Sequence, residues 1–228
     1  MSLNPDQLAA VERLPLFAEL PARVGERLFR GARVHHFGAG SVLFREGDAS
    51  DYLYLALGGT VCLKATGAQR QQYVIEFVPP GQPFILAAVL LDKPFLMAAQ
   101  VIQAGDVLLI PGADFRRHAL EDIALSRAIN LSAAVHWRAL VGQVKSLKMQ
   151  TGAQRLAAFL VSMVEGCQGE MTVELPCERQ ILATWLGMVP SSGSRAFREL
   201  SRLGVDGHGH LLRIRSVERL IEYVHESA

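Results

Sequence analysis

The chain has 228 residues, half of them apolar, and 23 lysines and arginines stand against 22 aspartates and glutamates for a formal charge of +1. That length and apolar content suit two domains with modest cores, and the balanced charge excludes a global field for nucleic acid, so any such binding must come from a local patch. Cys62, Cys167 and Cys177 form no CxxC pair and are odd in number, which argues against a disulfide framework, a zinc site or a four-cysteine iron–sulfur cluster and fits a reducing cytoplasm.

The first stretch, Asn4–Arg33, has short amphipathic segments with Leu14, Leu16, Phe17, Leu20, Val24, Leu28 and Phe29 as apolar positions and prolines at 15 and 21, the pattern of small helices packed on something larger. No signal-peptide pattern opens the chain. From Val34 to Pro111 short runs rich in Val, Leu, Ile, Tyr and Phe alternate with glycine turns, as in an all-β barrel or jelly roll. Tyr52–Leu57 and Val107–Ile110 are its most apolar strands, and the apolar run Phe84–Leu91 is too short to span a bilayer, so no membrane is expected as a partner.

A glycine-poor stretch comes next, Ala113–Lys148, which at 1.5 Å per residue predicts roughly 50 Å of helix. Ile123, Ser126, Asn130, Ala133, Trp137, Leu140, Val144 and Leu147 recur at alternating spacings of three and four, the seam of a two-stranded coiled coil. A homodimer through this seam is the expectation, with Asn130 fixing its register. Leu120, Leu125, Leu131 and Val135 lie off the seam and are expected to pack on the barrel. The alternative is a stripe that packs only within its own subunit. Gln150-Thr-Gly152 breaks the pattern as a hinge, and a helix over 154–165 and a short strand over 171–175 come after it.

Cys177–Leu203 carries two short helical patterns joined by a tight turn at Leu186-Gly187-Met188, the spacing of a helix-turn-helix. Gly187 supplies the left-handed backbone of the turn, and Pro190 restarts the chain as a helix. The second helix is expected to bury Ala196, Phe197, Leu200 and Leu203 and to expose Ser191, Ser192, Ser194, Arg195, Arg198 and Arg202. Hydroxyls and arginines on an exposed helix suit phosphates and base edges. By itself the pattern fits a solvated αα-hairpin equally well. The residues beyond Leu203 favour DNA: an Asp206-Gly207 turn and the alternating Leu212, Ile214 and Val217 predict a hairpin, and a helix-turn-helix leading into a hairpin is a winged helix. Between Val189 and Arg215 the charged residues are Arg195, Arg198, Arg202, Arg213 and Arg215 against Glu199 and Asp206, a locally basic face.

This order of elements resembles the CRP/FNR superfamily of bacterial transcription regulators over nearly the whole chain. The residues that carry the resemblance are Leu14-Pro-Leu-Phe17, Gly40-Ser-Val-Leu-Phe44 with Glu46-Gly-Asp48, Tyr54-Leu-Ala-Leu-Gly-Gly59, Gly81 with Phe84, and Gln154-Arg-Leu-Ala-Ala-Phe-Leu160. Arg179-Gln-Ile-Leu-Ala-Thr-Trp-Leu-Gly187 and Ser194-Arg195 add the helix-turn-helix. The resemblance implies an α+β fold: a cyclic-nucleotide-binding-type β-roll (jelly roll) over 1–112, a long dimerisation helix over 113–150 and a winged helix-turn-helix over 151–228. It implies double-stranded DNA with two half-sites as partner, a second copy of the chain as dimer mate, and RNA polymerase as a further candidate partner.

The departures from the family are informative. In nucleotide-binding members the phosphate cassette runs Phe-Gly-Glu with an Arg-Ser or Arg-Thr pair about ten residues beyond the Glu. Here Leu86 stands at the Glu position and Leu96-Met97 at the pair, so both anchoring charges are gone. A phosphate there would be desolvated without a partner, at a cost of several kcal/mol, and a cyclic nucleotide is not the expected ligand. The dimer-helix positions that meet the base correspond to Leu140 and Val141, which offer no hydroxyl. An apolar effector pocket of Phe84, Leu86, Leu90, Leu96 and Met97 facing Trp137, Leu140 and Val141 is the expectation. Its occupant is haem, an apolar organic effector, or nothing beyond a plain core. For haem, His35, His36, His118 and His136 are the candidate axial ligands, although a surface or capping histidine is the commoner case. On the recognition helix Ser191 stands where many relatives carry Glu, so the operator is not transferable from them.

The sequence thus predicts a dimeric, sequence-specific DNA-binding regulator with a sensor that does not use cyclic nucleotides. The other readings are a nucleotide-responsive regulator with an altered cassette and a protein–protein signalling module whose winged helix no longer reads DNA. No nucleophile elbow, P-loop, HExxH or paired-carboxylate motif points to an enzyme.

Overall fold

A computed structural model describes residue 3 and residues 5–67 and 71–225, so Asn4 of the first expected helical stretch lies outside it. The chain divides after Trp137 into two compact units.

The first unit opens with α1 (Pro5–Glu12) and α2 (Ala22–Phe29), and continues through β1 (Arg33–Phe37), β2 (Val42–Phe44), β3 (Tyr52–Ala56), β4 (Thr60–Thr66), β5 (Gln72–Val78) and β6 (Pro83–Phe84). A short α3 (Leu86–Leu91) leads to β7 (Ala98–Gln103), β8 (Gly105–Pro111) and α4 (Gly112–Glu121). The strands form two antiparallel sheets, ordered β1-β8-β3-β6 and β2-β7-β4-β5. Phe44, Tyr54, Val61, Leu63, Val78, Phe84, Phe95, Ala99 and Val107 fill the space between them. The opposite side chains of β3 and β8, Leu53, Leu55, Leu108 and Ile110, join a second core with Val24, Leu28, Phe29, Phe115 and Leu125 from the helices. The inner strands β3 and β8 are therefore buried on both faces, and they read as unbroken apolar runs instead of alternating ones for that reason.

The helix expected over 113–148 is two helices, α4 and α5 (Ile123–Met149). Asp122 between them is extended, with φ −118° and ψ 117°. Its carboxylate Oδ1 accepts from the amides of Ala124 at 2.9 Å and Leu125 at 3.2 Å, so it satisfies donors that a new helix start leaves open. Of α5, Leu125 and Ile129, four residues apart on one face, are buried. Leu120, Leu131 and Val135, expected against the barrel, are instead 90%, 67% and 63% exposed. They project from other sides of the helices than the stripe the β-roll covers.

The second unit contains the end of α5, then α6 (Gly152–Met163), β9 (Met171–Glu174), α7 (Arg179–Trp185), α8 (Pro190–Arg202), β10 (Val205–His208), β11 (Leu211–Ile214) and α9 (Val217–His225). Leu156, Leu160, Leu182, Leu200, Leu212, Ile214 and Leu220 are fully buried there. Thr151 caps α6 through a capping box: its hydroxyl accepts from the Gln154 amide at 3.3 Å while Gln154 Oε1 accepts from the Thr151 amide at 2.7 Å. The segment expected as a hinge is thus a bonded joint.

The hairpin lies where the alternation places it, but its turn is at Gly209-His210 and not at Asp206-Gly207. Asp206 and Gly207 pair across the ladder with Arg213 and Leu212. The Asp206 carboxylate holds Arg215 at 2.7 Å and accepts from the Ser201 hydroxyl at 2.9 Å, which keeps it inside β10. Val217, expected as the end of the strand alternation, opens α9. With β9 the hairpin makes a three-stranded sheet ordered β10-β11-β9.

Candidate nucleic-acid interface

Two glycines set the geometry of α7 and α8. Gly187 has φ +70°, which an L side chain rarely adopts, and the Leu147 side chain fills the space a Cβ would need. Gly193 sits inside α8 where it crosses α7, and a Cβ there would lie 2.5 Å from that of Ala183. The turn is stapled from below by Arg155. Its Nε donates to the Leu186 carbonyl at 2.7 Å and its Nη1 to the Gln150 carbonyl at 2.5 Å, and desolvation lowers its pKa. Behind α7 the Trp185 ring meets Phe159 edge-on, with centroids 5.3 Å apart.

On this support α8 starts with Pro190 in its first turn and buries Gly193, Ala196 and Leu200. Ser191, Ser194, Arg195, Arg198 and Arg202 are exposed and Ser192 is half-buried, so the hydroxyl and arginine residues expected on the reading face share this helix surface. Arg195 makes 3.4 Å contacts within its own helix, to the Ser191 carbonyl and the Ser192 hydroxyl. Among the described residues none of Arg195, Arg198 and Arg202 pairs with a carboxylate.

The rest of the basic face is different from expectation. Arg213 makes a two-pronged pair with Glu170 at 2.7 and 2.8 Å, and Arg215 pairs with Asp206. Arg213 holds the Glu170 carboxyl below its usual range, and Glu170 lies outside the window from Val189 to Arg215 that suggested a basic face. Glu199, one of the two acidic residues inside that window, accepts from the Tyr223 hydroxyl at 2.5 Å. Of the five arginines in that window, the three without a carboxylate partner among the described residues are therefore the ones on α8.

A family model of a cyclic nucleotide-binding domain matches residues 34–122, and one of a Crp-like helix-turn-helix domain matches residues 154–223. The chain belongs to the CRP/FNR superfamily. It is 29% identical over 178 residues to the nitrogen fixation regulation protein FixK of Bradyrhizobium diazoefficiens, covering 76% of this chain and 73% of that protein. The solved structure of the spoa0323 protein from Ruegeria pomeroyi is 28% identical, with a TM-score of 0.65 over 97% of this chain and 98% of that one. FixK2 from Bradyrhizobium japonicum, 23% identical, shares the fold with a TM-score of 0.70 over 84% of this chain and 96% of its own. This CRP/FNR chain is a DNA-binding transcription regulator.

In the regulator's β-roll the cassette residues fall into separate environments. Phe84 is buried in the sandwich beside Phe44 and Tyr54, at centroid distances of 6.3 and 5.8 Å, and Met97 packs on the same cluster. Burial pushes the Tyr54 phenol up to about 12. Leu86 and Leu90 pack on the other, helix-covered core. Leu96 is 81% exposed and stands outside both. On α5, Trp137, Leu140 and Val141 are 67%, 36% and 45% exposed, and the other seam residues Ile123, Asn130, Ala133, Val144 and Leu147 are not fully buried either.

The four candidate histidines have different surroundings. His35 and His36 lie on β1 with His36 exposed, and His36 Nδ1 lies 2.8 Å from Asp106. His118 is buried in α4, 3.9 Å from Glu121, and His136 is 3.7 Å from Glu76, whose carboxyl is pushed up by burial. One cavity of about 200 Å³ beside α1 and α2 is lined by Glu12, Phe17 and Phe29, among others. Another of about 450 Å³ beside α6 and α8 is lined by Arg155, Met188 and Arg195, among others. Neither of these two cavities borders a histidine or a cassette residue.

Two residues of this unit act through contacts that no local sequence pattern indicates. Glu170 neutralises Arg213 from 43 positions away. Arg179, at the start of α7, bonds to the hairpin and stacks on α8; its place at the first turn of a helix-turn-helix is the only hint the sequence offers.

Proposed function

We propose that the chain works as a homodimer that reads two DNA half-sites through α8, under the control of a β-roll whose input is not a cyclic nucleotide. The observation that carries the reading is the α8 surface: exposed Ser191, Ser194, Arg195, Arg198 and Arg202, with no carboxylate on the arginines among the described residues. An unneutralised guanidinium near a helix start can take guanine O6 and N7 together, and those farther along can meet phosphates.

Dimerisation is supported by α5. Beyond Ile129 its apolar residues Leu131, Val135, Trp137, Leu140, Val141, Val144 and Leu147 all lie at least 36% exposed, and apolar residues on every side of a helix call for a partner. Two symmetric copies would present α8 to half-sites about 34 Å apart, one turn of DNA. The absence of a charged side chain at Leu86, Leu96 and Met97 disfavours an anionic input at the cassette. The reading puts the protein in the cytoplasm with the DNA, where RNA polymerase is its further partner. Among the described residues no helix is long and apolar enough to cross a membrane.

Operator selection from a random duplex library with the full-length protein, combined with footprinting, tests the proposal. The expected result is a sequence with two-fold symmetry protected over two adjacent turns. Recovery of unrelated sequences bound with equal affinity would leave the signalling-module reading in its place.

A further inference from the structure

Arg179 is the first residue of α7, and its guanidinium reaches across to the wing. Nη2 donates to the Gly207 carbonyl at 2.7 Å and Nε to the Gly209 carbonyl at 3.1 Å. The same group lies over the Phe197 ring of α8, 4.9 Å from its centroid. One half-buried side chain therefore joins the start of α7, the middle of α8 and the tip of the hairpin.

The chemistry suits arginine and no other residue. Nε and one Nη lie side by side on a rigid planar edge, which matches two acceptors presented by carbonyls two residues apart, while the flat face stacks on an aromatic ring. A lysine ammonium is a point donor on a flexible stem and cannot reproduce both bonds and the stacking. On its other side the tip is held by β9, where the Leu175 amide donates to the His210 carbonyl at 2.7 Å and Glu174 pairs with Leu211, so Arg179 is the side-chain tie on the β10 side. Gly207, His208, Gly209, His210 and Leu211 are all exposed, and the loop between β10 and β11 is only Gly209-His210.

We propose that Arg179 is a positioning residue for DNA binding: it fixes the wing tip relative to α8, so that His208–Leu211 meets the duplex in register with the bases that α8 reads. The proposal rests on α8 being the reading helix. Arg179 spends its donors inside the protein, so its contribution to affinity runs through the wing and not through a phosphate of its own.

The test compares full-length wild type with Arg179→Lys and Arg179→Met, first without DNA and then on the selected operator. Without DNA, amide hydrogen exchange over residues 205–214 should accelerate about tenfold or more in both variants while α6 and α8 keep their protection. On the operator both variants should lose about tenfold in affinity, with unchanged base preference under α8 and weaker backbone protection on the flank that the wing covers. Arg179→Lys at wild-type exchange and affinity would overturn the proposal, because a phosphate contact tolerates lysine and the two-carbonyl clamp does not. Faster exchange throughout α8 in Arg179→Lys would overturn it too, by making the residue a general support of the unit. If no operator can be selected, the reading of α8 fails, while the exchange measurement still decides the clamp.

Discussion

The crossing of α7 and α8 allows a quantitative test of how the reading helix is held. In Gly193→Ala the new methyl would start 2.5 Å from the Ala183 Cβ, whereas carbon atoms in contact settle at about 3.5–4.0 Å, so the helices must part by roughly 1–1.5 Å. Ala183 has no flexible end to swing away, so the backbone itself must move. Overpacking of this kind costs about 1–3 kcal/mol. Against it stands the gain in helix propensity from Gly to Ala, about 1 kcal/mol, which leaves a net loss of about 0–2 kcal/mol. Because the two effects oppose each other, a single melting curve is a poor discriminator and a double-mutant cycle is a good one. Ala183→Gly removes the opposing methyl, and combining it with Gly193→Ala relieves the clash while the propensity changes cancel. The cycle should give a coupling of about 1–3 kcal/mol, read as thermal midpoints at about 4–8 °C per kcal/mol for a unit of this size. Gly193→Ala alone should also weaken operator binding, since it displaces the base of Arg195. A single mutant stabilised by the full propensity gain, together with zero coupling, would show that the two helices do not meet at this pair.

Arg195→Ala should cost about 1–3 kcal/mol on the selected operator and relax preference at one base pair per half-site, whereas Arg202→Ala should weaken binding to all sequences alike and lower the salt slope by about one, both read by titration at two salt concentrations. Trp137→Glu combined with Leu140→Glu should give monomers by light scattering, and a persistent dimer would remove α5 as the interface. Cyclic AMP and cyclic GMP should give no heat of binding in calorimetry at physiological concentrations, and a micromolar dissociation constant for either would restore the nucleotide-responsive reading. The carboxyls of Glu170, held down by Arg213, and Glu218, held down by the Ser216 hydroxyl and the Gly169 amide, titrate below the usual 4.5 when folded. Their stabilisation is complete above that value and lost as pH falls through the lower folded values, so Glu170→Gln should flatten the acid limb of the thermal midpoint against pH.

The features legible in the amino-acid sequence are those that local physics dictates. Gly187 and Pro190 mark the turn and the restart of the helix-turn-helix because left-handed backbone and a missing N–H are properties of single residues, and the helices appear where those signals place them. The exposed face of α8 is legible from period alone. The capping box Thr151-Gly-Ala-Gln154 is equally visible yet reads as a hinge, since a break in the apolar period looks the same whether the joint is loose or bonded. Asp122 likewise carries its own signal as a cap within a run that the period makes continuous. The misplaced wing turn has a different cause. Asp206-Gly207 and Gly209 both offer turn chemistry, and the choice is made by Arg215 and Ser201 holding the Asp206 side chain, partners that a local window does not weigh. Glu170 with Arg213, and Arg179 with the tip carbonyls, depend on the chain returning over tens of residues, so the charge of the DNA face cannot be counted from its own window.

The cassette segment gives the strongest physical argument about the sensor. Ile85, at the glycine position of the family's Phe-Gly-Glu, has φ +59°, a conformation that a β-branched residue adopts only at a cost of order 1–3 kcal/mol. Such a residue persists only where its surroundings determine it. Here Val89 is fully buried one turn later, and Asp92 ends α3 with φ +51°. Arg116 from α4 clamps the far end, donating to the Val89 carbonyl at 3.0 Å and pairing with Asp92 at 3.0 Å. The turn is thus made here by Ile85 with no charged side chain at Leu86, Leu96 or Met97, and Leu86 packs on the helix-covered core. Selection of the turn for phosphate binding would favour the glycine that makes it without strain. A strained turn with apolar side chains instead suits a segment that joins the sheet to α4, as the proposed nucleotide-independent input would require. Ile85→Gly should then relieve local strain without creating nucleotide affinity, since neither the missing carboxylate at Leu86 nor the missing guanidinium at Leu96 is restored.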